Sequence, residues 1–110
     1  MRIIYRKFGV NIKRGEYMQI KFEKDRKKAL AYDNDLEIAY CQYEIRDENL
    51  WEITHTVVDK NYGGQGLAGK LLDEVCENAR KEKVKIIPTC SYAAKKFDEN
   101  KEKYQDLDAR

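Results

Sequence analysis

The chain has 110 residues, and its charges nearly balance, with 22 lysines and arginines against 20 aspartates and glutamates. A dedicated nucleic-acid-binding protein usually carries a large basic excess, so we expect no nucleic-acid partner. The hydrophobic fraction of 42% is too high for a disordered chain. No apolar run approaches the ~18 residues of a membrane span, and no signal-peptide pattern opens the chain. We therefore expect a cytoplasmic protein without a membrane partner.

The cysteines argue against a disulfide or metal framework. Cys41, Cys76 and Cys90 are odd in number and far apart, and no two of them form a CxxC pair. This pattern excludes a disulfide scaffold and an ordinary structural zinc site, so we expect no metal. Cys76 falls on the apolar stripe of a predicted helix, and we interpret both Cys76 and Cys41 as core residues.

Residues 1–17 differ in composition from the rest of the chain. They are basic, contain no acid before Glu16, and show no clear periodicity. Two interpretations stay open: translation begins at Met18, or the segment is a basic arm or an additional edge strand. We assign residues 18–110 to a single domain.

Four strands are predicted in the first half of this domain, since apolar and polar residues alternate or β-branched and aromatic residues dominate. They cover residues 18–22, 29–32, 36–45 and 50–58. Between them lie a charged connection at 23–28 and turns at 33–35 and 46–49, rich in Asp and Asn, which tolerate left-handed backbone. Short turns between successive strands predict an antiparallel meander.

Helical periodicity begins at Gly66. Apolar residues recur at helical spacing and form one stripe, which predicts a helix ending near residues 82–83. A short strand at 84–88 follows, and Ser91 is positioned to cap a last helix through residues 93–97. The helix between the fourth and fifth strands predicts a parallel crossover. The fold class is therefore α+β with a mixed sheet: four antiparallel strands, a helix, a fifth parallel strand and a C-terminal helix.

A glycine-rich loop joins the fourth strand to the long helix. Gly63, Gly64 and Gly66 fall within four residues, and glycine permits positive φ and close approach of a ligand. The start of a helix also leaves about four amide groups unpaired at its positive end. Together these features favour a phosphate or pyrophosphate site. The spacing fits neither a P-loop nor a dinucleotide fingerprint.

The segment from Gly63 to Ala68 resembles the acetyl-CoA signature of the GNAT N-acetyltransferase superfamily, Gln/Arg-x-x-Gly-x-Gly/Ala. The first position departs from that pattern, because Gly63 stands where Arg or Gln is usual. A Cys-Ser-Tyr segment at residues 90–92, after the fifth strand, is similar to that of the small, minimal GNAT-like proteins. The resemblance covers residues 18–107.

This resemblance implies acetyl-CoA as co-substrate and a GNAT-like sheet in which the fourth and fifth strands splay apart. The pantetheine arm would pair with the backbone of the fourth strand, and the pyrophosphate would bind the loop amides. The cofactor-binding residues it implies are Thr56, Val57, Val58, Gly63, Gly64, Gln65, Gly66, Leu67, Ala68 and Ser91.

The resemblance also implies three candidate catalytic residues. Cys90 lies where the thioester is expected, and a neighbouring helix N-terminus favours the reactive thiolate. Cys90 either accepts the acetyl group covalently, lines the thioester channel while the acceptor amine attacks acetyl-CoA directly, or is a small buried hydrophobe. Direct attack would use His55 as base and Tyr92 as acid. His55, the single histidine, is either a general base or a structural residue. We place it on one sheet face with Ile53 and Val57.

Tyr92 is the third candidate, as the acid that protonates the departing CoA thiolate, although its offset differs from the common pattern. Two functions stay open on the sequence. The first is an N-acetyltransferase that passes an acetyl group to an amine acceptor of unknown identity. The second is a non-catalytic acyl-CoA sensor. We expect a monomer or a weak homodimer.

Overall fold

A computed structural model describes residues 4–6 and 18–110 of the chain. Its strands are β1 (Ile4–Arg6), β2 (Met18–Glu23), β3 (Lys28–Asp33), β4 (Leu36–Asp47), β5 (Leu50–Val58) and β6 (Lys85–Pro88). Its helices are α1 (Leu67–Glu82), α2 (Ser91–Glu99) and α3 (Lys101–Tyr104), preceded by a short 3₁₀ helix at Lys60–Tyr62.

The strands form one sheet in chain order from β1 to β6. Successive strands from β1 to β5 pair antiparallel, whereas β5 and β6 pair parallel across the α1 connection. The predicted mixed sheet and its parallel crossover are thereby confirmed. The backbone of β1 pairs with β2, and the remainder of residues 1–17 lies outside the described residues, so the interpretation of that segment stays a prediction.

Turn chemistry sets the strand and helix boundaries. Asn34 has a φ of 56° and lies in the turn that reverses the chain between β3 and β4. This left-handed conformation agrees with the prediction from its residue type, since asparagine tolerates positive φ. Lys83 ends α1 with a φ of 60°, and its amide donates back to the carbonyls of Ala79 and Arg80. Both boundaries agree with the sequence interpretation.

One core lies between the sheet and the helices. The apolar stripe of α1 is buried, as its spacing predicts: Leu67, Leu71, Leu72, Val75, Cys76 and Ala79. Cys41 is also fully buried, and burial raises the pKa of its thiol to about 12. Cys41 therefore stays protonated at neutral pH and is a core residue.

The C-terminal tail is more ordered than its polar composition suggests. Leu107 is 2% exposed and belongs to the core. The backbone of Ile86 pairs with Leu107 and Ala109, at 2.7 and 2.8 Å, so the tail covers the outer edge of β6. The polar composition of the tail does not predict that it covers the edge of β6, because this role depends on one buried leucine and on main-chain hydrogen bonds.

Three aromatic rings stack on the buried side of the sheet. The ring of Tyr43 lies 4.1 Å from that of Trp51 and 5.7 Å from that of Phe22, measured between centroids. Its hydroxyl is buried and has no hydrogen-bond partner among the residues that the structure describes. A buried hydroxyl without a partner lowers the stability of the folded state.

We therefore expect Y43F to keep the ring stack and to raise the free energy of unfolding by about 1 kcal/mol. Tyr62 supplies the matched control, since its hydroxyl donates to the buried carboxylate of Asp33 at 2.6 Å. Y62F removes that donor and should lower stability by about 1–3 kcal/mol. Urea unfolding followed by circular dichroism measures both variants, and equal losses in the two would contradict this account.

Candidate active site

A cleft opens where β5 and β6 separate. The two strands are paired from Leu50 to Ile53, and the Ile53 carbonyl then accepts from the amides of both Thr89 and Cys90, at 3.1 and 3.0 Å. Beyond Ile53, no described strand pairs with this edge of β5. The edge therefore offers unpaired backbone groups to a ligand, in line with the splaying implied by the resemblance.

A β-bulge in β5 sets which side chains face the cleft. Tyr43 of β4 is opposite Ile53, but Cys41 is opposite Thr56, so one extra residue lies between the two pairs on β5. Directly paired residues share a sheet face. Ile53 and Thr56 therefore both point to the face of Cys41.

The bulge overturns part of the predicted orientation of His55, which shares a sheet face with Val57, as predicted, but not with Ile53. His55 pairs with Gln42 and lies on the face opposite to Ile53 and Thr56, because the extra residue reverses the alternation. Its side chain is exposed, and its Nδ1 is 3.1 Å from the Thr54 hydroxyl. Val57 shares the outer face with His55 and is 44% exposed.

The glycine loop presents the N-terminus of α1. Gly64 and Gly66 have φ values of 78° and 75°, a region that L-residues with a side chain rarely adopt. Gly66 is the N-cap residue and forms no side-chain cap, so the first-turn amides of Leu67 and Ala68 face outward from the helix end. A Cβ at either left-handed glycine would meet no atom within 4 Å, so the backbone is open to a ligand.

The other members of the loop differ from these two glycines. Gly63 has a φ of −66°, an ordinary value for any residue. The Gln65 Oε1 atom is buried and finds no hydrogen-bond partner within the described part of the chain. Val58, the last residue of β5, packs partly buried against the core.

The N-terminus of α2 lies at the separation of the strands. Cys90 is the N-cap residue and Ser91 the first helical residue, so the prediction that Ser91 caps the helix is wrong. The Cys90 carbonyl accepts the first helical hydrogen bond, from the Ala94 amide at 2.9 Å, so the helix starts at Ser91. The Ser91 side chain is exposed.

The Thr56 hydroxyl connects two of the three cysteines. Thr56 Oγ1 donates to the Sγ atom of Cys41 over 3.7 Å and accepts from the Sγ atom of Cys90 over 3.5 Å. Cys90 is partly buried and lies at the edge of the core. The sequence singled out Thr56 only for its backbone, since the side-chain contact depends on the bulge.

The two helix N-termini meet at Tyr92. A Cβ at Gly69, the third residue of α1, would lie 3.4 Å from the Tyr92 hydroxyl. Burial raises the pKa of the Tyr92 phenol, and the carboxylate of Asp73 adds to that rise. Tyr92 is therefore protonated at neutral pH. Sequence reasoning missed Gly69, whose signal is a glycine inside the first turn of a helix.

Neither a cluster of metal ligands nor a membrane-spanning helix is found among the described residues. No group of three or more His, Cys, Asp or Glu side chains there is arranged to hold a metal ion. None of the helices described is long and apolar enough to cross a membrane.

Comparison with known families decides the classification. A family profile described as GCN5-related N-acetyl-transferase matches residues 27–107, which cover the cleft, the glycine loop and both helix N-termini. The chain belongs to this family. No curated protein matches it.

Solved structures agree with membership of the GCN5-related family. A GCN5-like putative N-acetyltransferase from Staphylococcus aureus is 38% identical, with a TM-score of 0.61 over 80% of this chain and 84% of that one. A GNAT family acetyltransferase from Elizabethkingia anophelis, solved with acetyl-CoA bound, is 18% identical, with a TM-score of 0.52 over 91% and 73% of the two chains. Ard1 from Thermoplasma volcanium is 13% identical, with a TM-score of 0.54 over 68% and 53%. The last two share the GCN5-related fold.

Proposed function

We propose that this GCN5-related protein transfers an acetyl group from acetyl-CoA to an amine, with Cys90 as the residue that first accepts it. The observation that carries the proposal is the position of the Cys90 thiol, at the N-terminus of α2 where β5 and β6 separate. The start of a helix leaves backbone amides without intrahelical partners and carries a positive partial charge. The same positive helix end favours the negative charge that develops on a thioester oxygen during attack.

The loop geometry suits the charged part of acetyl-CoA. The amides of Leu67 and Ala68 at the start of α1, with the open backbone at Gly64 and Gly66, form a cradle for a pyrophosphate. The departure at Gly63 removes a side-chain contact and leaves backbone capture. The unpaired edge of β5 at Thr56–Val58 is where the pantetheine arm would pair.

The transfer divides into two balanced steps. In the first, a bond forms between the Cys90 sulfur and the acetyl carbon, the bond to the CoA sulfur breaks, and the thiol proton ends on CoA. In the second, the acceptor nitrogen attacks the acetylated Cys90, the amide forms, and one amine proton restores the thiol. Each step exchanges one acyl bond for another and needs no oxidant or reductant.

Two other residues would serve these steps from opposite sides of the sheet. Tyr92 keeps its proton at neutral pH and contacts the first turn of α1, which suits an acid for the CoA thiolate. His55 lies exposed on the outer face, where it can accept a proton from an acceptor amine before that amine reaches Cys90. The acceptor would then approach from the outer face.

Intact-protein mass spectrometry after incubation with acetyl-CoA tests the proposal. We expect the wild-type chain to gain the mass of one acetyl group and C90A to gain none. C76A is the control, since Cys76 is fully buried in α1 and its removal should leave the adduct in place.

A panel of primary amines then tests the second step. We expect an effective acceptor to discharge the adduct and to release free CoA with each turnover. If a wild-type chain that binds acetyl-CoA by thermal shift gains no adduct, the covalent route is wrong. Acceptor-dependent CoA release in the same samples would then indicate direct transfer, and none at all would indicate a sensor.

A further inference from the structure

We propose that Thr56 is a positioning residue for Cys90, because its hydroxyl lies within hydrogen-bond distance of the sulfur atoms of both Cys41 and Cys90 and has one proton to donate. In the resting arrangement that proton points to Cys41, and when Cys90 ionises it turns to the Cys90 thiolate. The proposal rests on the proposed function only in that Cys90 is the residue acetylated. Its claim concerns the reactivity of this thiol, which can be measured without acetyl-CoA.

The geometry places the Thr56 oxygen within hydrogen-bond distance of both sulfur atoms. Cys41 and Thr56 are directly opposite each other across the β4–β5 pair, and the Thr56 oxygen lies 3.7 Å from the Cys41 sulfur. The Cys90 sulfur lies 3.5 Å from the same oxygen. Main-chain bonding of the Cys90 amide to Ile53, at 3.0 Å, keeps Cys90 at this point.

The two sulfur atoms compete for the single hydroxyl proton of Thr56. A hydroxyl has one proton to donate, so it cannot donate to Cys41 and Cys90 at once. Burial keeps Cys41 protonated, with a pKa of about 12, and a neutral thiol is a weak acceptor. A thiolate is a charged acceptor and binds a donor more strongly. Ionisation of Cys90 therefore draws the hydroxyl away from Cys41.

The Thr56 hydroxyl lies within hydrogen-bond distance of the Cys90 sulfur, and Cys41 and Tyr92 interact electrostatically with Cys90. Other charged or titratable groups on the elements around Cys90 include Glu52, His55, Asp73 and Lys96. Glu52 accepts from Arg46 and from Thr89, at 2.6 and 2.5 Å.

The remaining groups are occupied or turned away. Asp73 is held by Lys103 and Tyr104, at 2.9 and 2.7 Å. The ammonium of Lys96 lies over the Tyr92 ring, 5.7 Å from its centroid. His55 points to the other face of the sheet.

Thr56 keeps its own proton throughout the acetyl transfer. The proton lost by Cys90 goes to the CoA sulfur, and the hydroxyl only changes the sulfur to which it donates. Once Cys90 carries the acetyl group it no longer has a negative charge, so the hydroxyl is free to return to Cys41.

The experiment is alkylation of Cys90 by iodoacetamide across a pH series, with the modified residue identified by peptide mass. We expect T56V to slow alkylation at pH 7 by about fivefold to tenfold and to move the midpoint of the pH profile upward. T56S keeps the hydroxyl and should restore the wild-type profile. A merely structural role for Thr56 would leave the midpoint where it is.

Cys41 supplies a test of opposite sign. C41A removes the competing acceptor, so we expect faster alkylation of Cys90 at pH 7 and a midpoint at lower pH. Coincident profiles for T56V and the wild type would overturn the proposal, as would slower alkylation in a folded C41A. If C41A fails to fold, T56V and T56S decide alone.

The two proposals fail in different measurements. Altered alkylation in T56V without any acetyl adduct in the wild type would refute the proposed function and leave the role of Thr56 intact. A normal acetyl adduct together with unaltered alkylation in T56V would refute the role of Thr56 and leave the proposed function intact.

Discussion

G66V should weaken acetyl-CoA binding by at least about tenfold, a loss of about 1.4 kcal/mol. Gly66 is the N-cap residue of α1 and has a φ of 75°. A β-branched residue in that conformation is strained by about 1–2 kcal/mol, so the chain would relax and turn the first-turn amides. Valine would also project into the open space above the loop, where we expect the pyrophosphate. Titration calorimetry with acetyl-CoA measures the loss.

Gly63 gives the matched control, because its φ of −66° suits any residue and a Cβ there would lie 3.6 Å from the nearest atom, the Lys60 carbonyl oxygen. G63A should bind acetyl-CoA as the wild type does. Q65A should also bind well if capture rests on the backbone. Normal affinity in G66V, with the variant folded by circular dichroism, would refute the cradle.

The sequence is informative wherever periodicity or turn chemistry acts over several residues. The stripe from Leu67 to Ala79 predicts both the helix and its buried face, and Asn34 predicts a left-handed turn that the structure contains. Such signals are local, since a helix face or a tight turn is decided by residues that are close in the chain.

Prediction from the sequence fails where one extra residue changes the register of two paired strands. One extra residue in β5 reverses the orientation of His55 and brings Thr56 to the face of Cys41. Nothing in the run from Ile53 to Val58 marks it, because the bulge is decided by pairing with β4. The predicted helix cap is also one residue late, since the Cys90 carbonyl already accepts the first helical bond from the Ala94 amide.

F97A should lower the free energy of unfolding by about 3–5 kcal/mol, a large share of the 5–15 kcal/mol typical of a domain. The Phe97 ring is 1% exposed, and its centroid lies 4.5 Å from that of Tyr104. It is the large apolar side chain by which α2 enters the core. Urea denaturation followed by circular dichroism gives the change.

Tyr104 separates packing from hydrogen bonding in the same contact. Its hydroxyl donates to Asp73 on α1 over 2.7 Å, so Y104F keeps the stacked ring and loses one bond, at a cost of about 1 kcal/mol. A loss in F97A no larger than that in Y104F would show that packing does not hold α2. If packing does hold α2, the position of the Cys90 thiol depends on the Phe97 ring, seven residues further along the chain. Cys90 is the N-cap residue of the helix that carries Phe97.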